Sequence, residues 1–315
     1  MKNNDKTSED NVSMVMEFVL LGFYDLPNLQ GLLFALFSII YMIILIGNSL
    51  IIVLTRLDAE LQKPMYFFLA NFSALEICFV SVTMPRMLKN LWTQDRTISK
   101  LECATQMCFF HMLGATECFF LATMAYDRYV AICRPLHYPV VMNHKTCVRL
   151  AVAAWISGMP VQIGQTCQVF LLPYCGSNQI NHFVCDIPPL IKLACGDTSL
   201  NEMCVYLAAV FFAFVPFLLI LVSYVKIIST ILKMPSATGR FKAFSTCSSH
   251  LIVVLLFFGS ITINYLRPKS NHSALSDKMF SLFYTIVTPL FNPMIYSLRN
   301  KDVIAALRKV FLKKV

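Results

Sequence analysis

The sequence predicts an all-α membrane protein, a seven-transmembrane helix bundle followed by a short amphipathic C-terminal helix. Three observations carry this. Hydrophobic residues make up 57% of the 315 and charged residues 14%, against about a quarter charged in an ordinary soluble domain. Seven apolar windows are each long enough to cross roughly 30 Å of hydrocarbon as a helix, and backbone in lipid must pair internally, as a helix does. Lys and Arg concentrate in alternate connections, the pattern of a chain that keeps its basic loops in the cytoplasm.

The windows cover 32–54, 65–84, 104–126, 150–172, 203–225, 243–266 and 279–298. Before them, residues 1–31 read as an extracellular tail, acidic and without a short apolar stretch ending in a cleavage site. The first helix is therefore expected to serve as an uncleaved signal anchor. Of the 26 Lys and Arg, 16 fall in the first, third and fifth connections and the C-terminal tail. This orients the N-terminus outside. The net charge of +9 is then a topological signal plus attraction to anionic lipid, and nucleic acid is not expected as a partner. Residues 32–298 form one bundle with no internal repeat or second domain, and 299–315 are the cytoplasmic tail.

Asn11-Val-Ser13 in the outer tail and Asn271-His-Ser273 in the last outer loop are glycosylation acceptors. Asn71-Phe-Ser73 also fits the pattern but lies inside the second helix. Pro160, Pro216, Pro289 and Pro293 sit within spans, where they permit kinks. Polar residues in hydrocarbon are costly and point into the bundle; here they are Asn48, Glu76, His111, Glu117, His250, Asn264 and Asn292. Asn48 and Asn292 read equally well as interhelical glue. Glu76 and Glu117 have no basic partner in any helix, so protons or a bound cation must neutralise them.

The twelve cysteines divide by depth. Cys78, Cys108, Cys118, Cys167, Cys204 and Cys247 lie within helices and pack as small apolar residues. Cys133 and Cys147 face the reducing cytosol. Cys103, Cys175, Cys185 and Cys195 are outside, where disulfides persist; four cysteines allow three connectivities, and spacing alone does not choose. Three of the four lie in the fourth connection, a long loop without a strong secondary-structure signal, and such loops are usually functional.

Five motifs run along the chain in order. They are Gly47-Asn48, Pro64-Met-Tyr-Phe-Phe-Leu-Ala-Asn-Phe-Ser73, Met124-Ala-Tyr-Asp-Arg-Tyr-Val-Ala-Ile-Cys133, Lys242-Ala-Phe-Ser-Thr-Cys-Ser-Ser-His-Leu251 and Pro289-Leu-Phe-Asn-Pro-Met-Ile-Tyr-Ser-Leu-Arg-Asn300. Together they resemble the signature set of vertebrate olfactory receptors, within the rhodopsin-like G-protein-coupled receptors. The outer loop with Cys185-Asp-Ile-Pro-Pro-Leu and Lys192-Leu-Ala-Cys195 resembles the tetrapod-type branch.

The resemblance implies roles that composition and spacing do not give. Arg128 is implied to be restrained by its neighbour Asp127, beside Tyr129, until activation releases it toward the G protein. An outward helix movement would exchange its partner. Tyr224, Tyr296, Lys242, His250, Asn292 and Pro293 match positions that move with that switch. Glu117 and Glu76 match acids that share a sodium ion in the family; most members have Asp at the position of Glu76, and the longer side chain alters the geometry. The alternative of protonated carboxyls stays open. Family members pair the cysteines matching Cys103 with Cys185 and Cys175 with Cys195. His182, Cys185 and Asp186 have a spacing that suits a metal, but the implied disulfide consumes Cys185. Sodium aside, no cofactor is implied.

Mapping from the motifs puts Phe110, His111, Gly114, Ala115, Ala208, Phe212, Phe258, Ile261, Thr262, Tyr265 and Thr285 around an outer cavity between helices three, five, six and seven. That lining suits a small, mostly hydrophobic volatile with one or two polar atoms. Phe110 stands where amine receptors carry an aspartate, Ile286 where opsins carry their retinal lysine, and Phe258 where many olfactory receptors carry a tyrosine. The implied partners are such a volatile, membrane lipids and a stimulatory olfactory-type heterotrimeric G protein that raises cyclic AMP at the plasma membrane.

Two other classes fit less well. A transporter of small solutes more often shows paired halves with interrupted helices. An intramembrane enzyme needs a nucleophile or metal cluster, and neither His-Glu-x-x-His nor paired catalytic aspartates occur. In the tail, Val303, Ile304, Leu307, Val310 and Phe311 recur at helical spacing, with Arg308, Lys309, Lys313 and Lys314 supplying charge. This predicts an interfacial helix along the inner leaflet.

Overall fold

The computed structural model describes residues 16–265, 274–298 and 300–312. Its spanning helices are α1 (Gln30–Leu57), α2 (Pro64–Thr93), α3 (Lys100–Cys133), α4 (His144–Phe170), α5 (Ser199–Leu232), α6 (Ala237–Tyr265) and α7 (274–298), followed by α8 (Lys301–Leu312). Among the described residues, the first six are long and apolar enough to cross a membrane by composition alone. The seventh is the polar one, with Asp277, Lys278, Asn292, two prolines and several hydroxyls.

Most helices run past the apolar windows, α2, α3 and α5 by most, because hydropathy marks only the part in lipid while capping groups set the ends. Ser99 and Glu102 form a reciprocal capping box at the start of α3, satisfying two orphan amides. Asn143 accepts from Thr146 N at 3.0 Å to start α4, and Asn300 accepts from Asp302 N at 3.0 Å to start α8. Gln94, in the left-handed region at φ 57°, ends α2. α4 is interrupted at Gly158, just before Pro160, and α5 and α7 each widen into a π turn, at Val210–Phe214 and Phe283–Val287.

Two apolar cores result. The larger lies among the helices and includes Ile44, Phe68, Phe72, Phe79, Phe120, Val253 and Phe257, all at most 1% exposed. The smaller caps the outer end around Phe18, Leu20, Ile98, Ile180, Cys185 and Leu190. It is built on a three-stranded sheet of β1 (Glu17–Leu20), β2 (Thr97–Ser99) and β3 (Gln179–Ile180), with β1 in the middle, antiparallel to β2 and parallel to β3. Strands this short carry no periodic signal, and their pairing joins segments up to 160 residues apart, so neither the tail nor the fourth connection revealed them in sequence. Beside the sheet, hydrogen bonds from the Thr97 hydroxyl and amide hold the Asp95 carboxyl below its ordinary pKa.

α8 departs from a purely lipid-facing helix. Val303 and Ala306 are buried against the bundle, with Leu307 partly so, while Lys309 pairs with Glu60 at 3.0 Å and Asp58 at 3.4 Å. Part of the apolar stripe thus docks on protein. The side chains of Val310 and Phe311, and Lys313 and Lys314, lie outside the described residues.

Candidate functional site

In the outer half of the bundle is a cavity of about 100 Å³. α3 supplies Phe110, His111, Gly114 and Ala115, which share a face because their spacing of one and four residues follows the helical turn. α5 adds Ala208 and Phe212, and α6 adds Ile261. These seven were expected from sequence. A Cβ on Gly114 would stand 2.5 Å from Tyr284 Oη, so the glycine makes room for that hydroxyl beside α3. Phe110 stacks on Phe79 at 5.3 Å and meets Tyr284 edge-on at 5.9 Å. His111 Nε2 lies 3.0 Å from Asp186 Oδ1, tying α3 to the outer loop.

Other expected residues fall elsewhere. Phe258 and Thr262 line a separate groove between α5 and α6, which on α6 shares only Ile261 with the cavity. Thr285 is buried and donates to Ser281 O at 2.7 Å; it is not in the lining. The side chain of Tyr265 lies outside the described ones. The sequence reading missed Cys118, Gln162, Gln165, Ile187, Val205, Ala209, Ala213 and Tyr284. Gln162 and Gln165, two amides three apart in an apolar span, were a legible signal of an inward face. Ile187 was not, since only the folded loop brings it over the cavity.

Deeper in the bundle, the carboxyls of Glu76 and Glu117 face each other, both buried. Asn292 Nδ2 donates to Glu76 Oε1. Among the described residues, Glu76 Oε2, Glu117 Oε1 and Asn292 Oδ1 are buried acceptors without a hydrogen-bond donor. Three buried oxygens without donors, two of them from acids, are the donor chemistry of a hard cation, so the residues fit a sodium ion. Asn48 instead donates to Ile44 O at 3.0 Å within its own helix.

Toward the end of the bundle away from the sheet, three helices are joined through one imidazole. His250 Nε2 lies 3.1 Å from Leu121 O, which can only accept, so Nε2 carries the proton. Nδ1 then faces the Tyr224 hydroxyl at 2.8 Å, whose proton it shares with Cys247 O at 3.1 Å, and the two rings stack. Tyr296 is buried, packs edge-on to Phe72 at 6.1 Å and, among the described residues, has a hydroxyl without a partner. Gly47 allows α1 to approach Pro293, whose Cβ would be 3.3 Å from an added Cβ.

Asp127 has a further partner beside the neighbour the family pattern implied. The Tyr138 hydroxyl donates to Asp127 Oδ1 at 2.9 Å, while the adjacent Arg128 guanidinium acts on the same carboxylate through its charge, without a close ion-pair contact among the described residues. Consecutive residues on a helix point roughly 100° apart, so they do not face each other. Burial and the adjacent Asp127 carboxylate push the Tyr138 phenol well above its ordinary pKa, which keeps it a donor. Arg128 and Tyr129 are half-buried at the same level. The side chain of Lys242, and Asn11 and Asn271, lie outside the described residues.

Disulfides join Cys103 to Cys185 and Cys175 to Cys195, with Cα atoms 5.5 and 5.9 Å apart. This removes Cys185 from the His182, Asp186 set. His182 Nδ1 accepts from Val184 N at 3.2 Å, and among the described residues no group of three potential metal ligands forms.

The sequence profile of the olfactory receptor family matches residues 37–314. Human olfactory receptor 10AG1 is 61% identical over 298 residues, 95% of this chain and 99% of the relative. Human olfactory receptor 10A7 is 52% identical over 97% of each chain, and mouse olfactory receptor 2C1 is 48% identical over 96% of this chain and 97% of its own. Among solved structures, squid rhodopsin superposes with a TM-score of 0.73 at 17% identity, covering 90% of this chain and 81% of its own; that likeness speaks to the fold alone. With a family profile matched over most of its length and relatives this close, the chain belongs to the olfactory receptors, multi-pass G-protein-coupled receptors of the membrane and not enzymes.

Proposed function

We propose that this receptor binds a small, mostly apolar volatile in the outer cavity and, on binding, activates a stimulatory olfactory-type G protein that raises cyclic AMP. The observation that carries the reading is the cavity itself. It is apolar, narrow, contributed by five helices and an outer loop, and it lies above the Tyr224, His250, Leu121 chain that couples α3, α5 and α6. A ligand that shifts α5 or α6 there must disturb that chain, which is the differential contact a two-state switch needs.

The lining limits the ligand's chemistry. The contact of His111 with Asp186, the Tyr284 hydroxyl and the amides of Gln162 and Gln165 are its polar features, and Gln165 already donates to Cys204 O at 3.0 Å. A permanently charged ligand would be left without a free counter-charge, so neutral compounds with a carbonyl or hydroxyl suit it best. Glu76, Glu117 and Asn292 would hold a sodium ion, whose single charge would offset one carboxylate and leave the other to a proton. The receptor sits in the plasma membrane with its basic connections inside and its disulfide-linked loop outside, an orientation supported by the loop charges.

The test is a broad panel of volatiles applied to cells expressing the receptor, read by cyclic AMP. Neutral aliphatic or aromatic compounds should activate, and Ala115→Trp, which fills the cavity, should abolish the response at normal surface level. A full response from Ala115→Trp would move the ligand site elsewhere.

A further inference from the structure

α5 and α6 enclose a second hollow on the flank of the bundle, with a volume of about 630 Å³ against about 100 Å³ for the inner cavity. Its rim is apolar and outward-facing: Tyr206, Phe214 and Leu255 are 60, 54 and 62% exposed. In a spanning helix, such side chains meet lipid tails. The hollow is therefore open to the bilayer.

Ala209, Ala213 and Ile261 line both spaces. Ala209 and Ala213 are one turn apart on α5, so the partition is a single side chain thick and, on α5, consists of two methyl groups. At this level α5 widens into the π turn Val210–Phe214, a departure that loosens helical packing and recurs at functional sites. Across from it, Gly259 of α6 leaves a notch in the groove. A Cβ added there would meet nothing within 4 Å, so packing does not demand the glycine. On the extracellular side the cavity is covered differently: Cys185, Asp186 and Ile187 are 0, 4 and 2% exposed, and the disulfide to Cys103 pins that loop down.

We propose that the apolar ligand reaches the inner cavity laterally from the bilayer, through the groove between α5 and α6, with Ala209, Ala213 and Ile261 as its gate. This rests on the reading of the inner cavity as the ligand site. The bilayer is a concentrated reservoir for such ligands, since each buried methylene contributes ~0.8 kcal/mol. Thr262 and the Tyr206 phenol are the polar groups along the groove, so neutral molecules pass and ions do not.

The experiment uses the purified receptor in phosphatidylcholine nanodiscs and a diazirine-bearing decanol as probe, photolysed at increasing times after mixing, with labelled peptides mapped. Label should reach the groove at Phe217 or Leu255 first and Phe110 later. Gly259→Trp, which plugs the notch, should slow labelling of Phe110 about tenfold, equivalent to ~1.4 kcal/mol on the barrier, while the final extent is unchanged. Gly259→Leu should slow it less, and covers the case in which Trp prevents folding. Leu219→Trp, on the lipid-facing side of α5 but outside the groove, should leave the rate as it was. Phe110 labelling at the wild-type rate in both Gly259 variants overturns the lateral route. Label that stays in the groove while Phe110 is labelled independently shows a lipid-tail site and overturns it too. Absence of label on Phe110 in the wild type removes the cavity reading, and this proposal with it.

Discussion

The outer and inner ends of the bundle are held together by different chemistry. The outer end has its own apolar core, a three-stranded sheet and two disulfides. The inner end is joined by exchangeable polar contacts. Tyr138 donates to Asp127, Tyr224 meets His250, and Tyr66 donates to Asp302 Oδ2 at 2.8 Å. A covalent bond has one arrangement, whereas a hydrogen bond can be traded for another of similar energy. The outer end is thus a fixed frame for a cavity, and the inner end is where two states can differ by a few kcal/mol.

The largest expected effect comes from opening the frame. Cys103→Ser removes a bond that spans 82 residues, and loss of such a bond costs about 2–5 kcal/mol. Surface receptor and odorant response should both collapse. Non-reducing peptide maps of the wild type should show Cys103 joined to Cys185, and any other partner for Cys103 would contradict the frame.

Arg128→Ala tests the other end. It should leave surface expression near normal and abolish agonist-driven cyclic AMP, because nothing in the outer frame depends on it. Full signalling from a surface-expressed variant would show that the inner polar contacts are only structural.

Gly114→Val sits between the two. Its side chain would collide with Tyr284 Oη, and overpacking costs ~1–3 kcal/mol, so agonist potency should fall about tenfold while the maximal response survives. Potency equal to wild type would remove Gly114 from the cavity's working surface.

His250→Phe keeps the ring stacked on Tyr224 but loses both imidazole hydrogen bonds. A buried partner left unmade costs ~1–3 kcal/mol. Ligand-free cyclic AMP should rise by up to about tenfold, since about 1.4 kcal/mol shifts a two-state equilibrium by that factor. An unchanged basal level would mean that the bridge persists in both states. The smallest effect is expected for Lys309→Ala. This exposed side chain bridges Asp58 and Glu60, and solvent screens such pairs. Coupling should be indistinguishable from wild type, and a clear loss would make α8 part of the inner switch.

Much of this architecture was legible in the sequence, because a membrane imposes a one-dimensional rule. Each span must be apolar for about twenty residues, and loop charge orients it. Seven of the cavity residues on α3, α5 and α6 followed from registering motifs on regular helices. Phe258, Thr262 and Thr285 did not follow, since a small error in helix rotation sends a side chain to the next face.

By itself, the sequence determined the helices, their order, their basic side and the polar residues that had to find partners inside. Which partners they found was decided only by the tertiary structure. Asp127 turned to Tyr138, His111 to Asp186 and Asn292 to Glu76, and segments far apart in the chain met in one sheet over the cavity. Helical propensity and hydropathy are local or periodic quantities. A hydrogen bond between distant residues depends on where the packed helices place two atoms to within a fraction of an ångström.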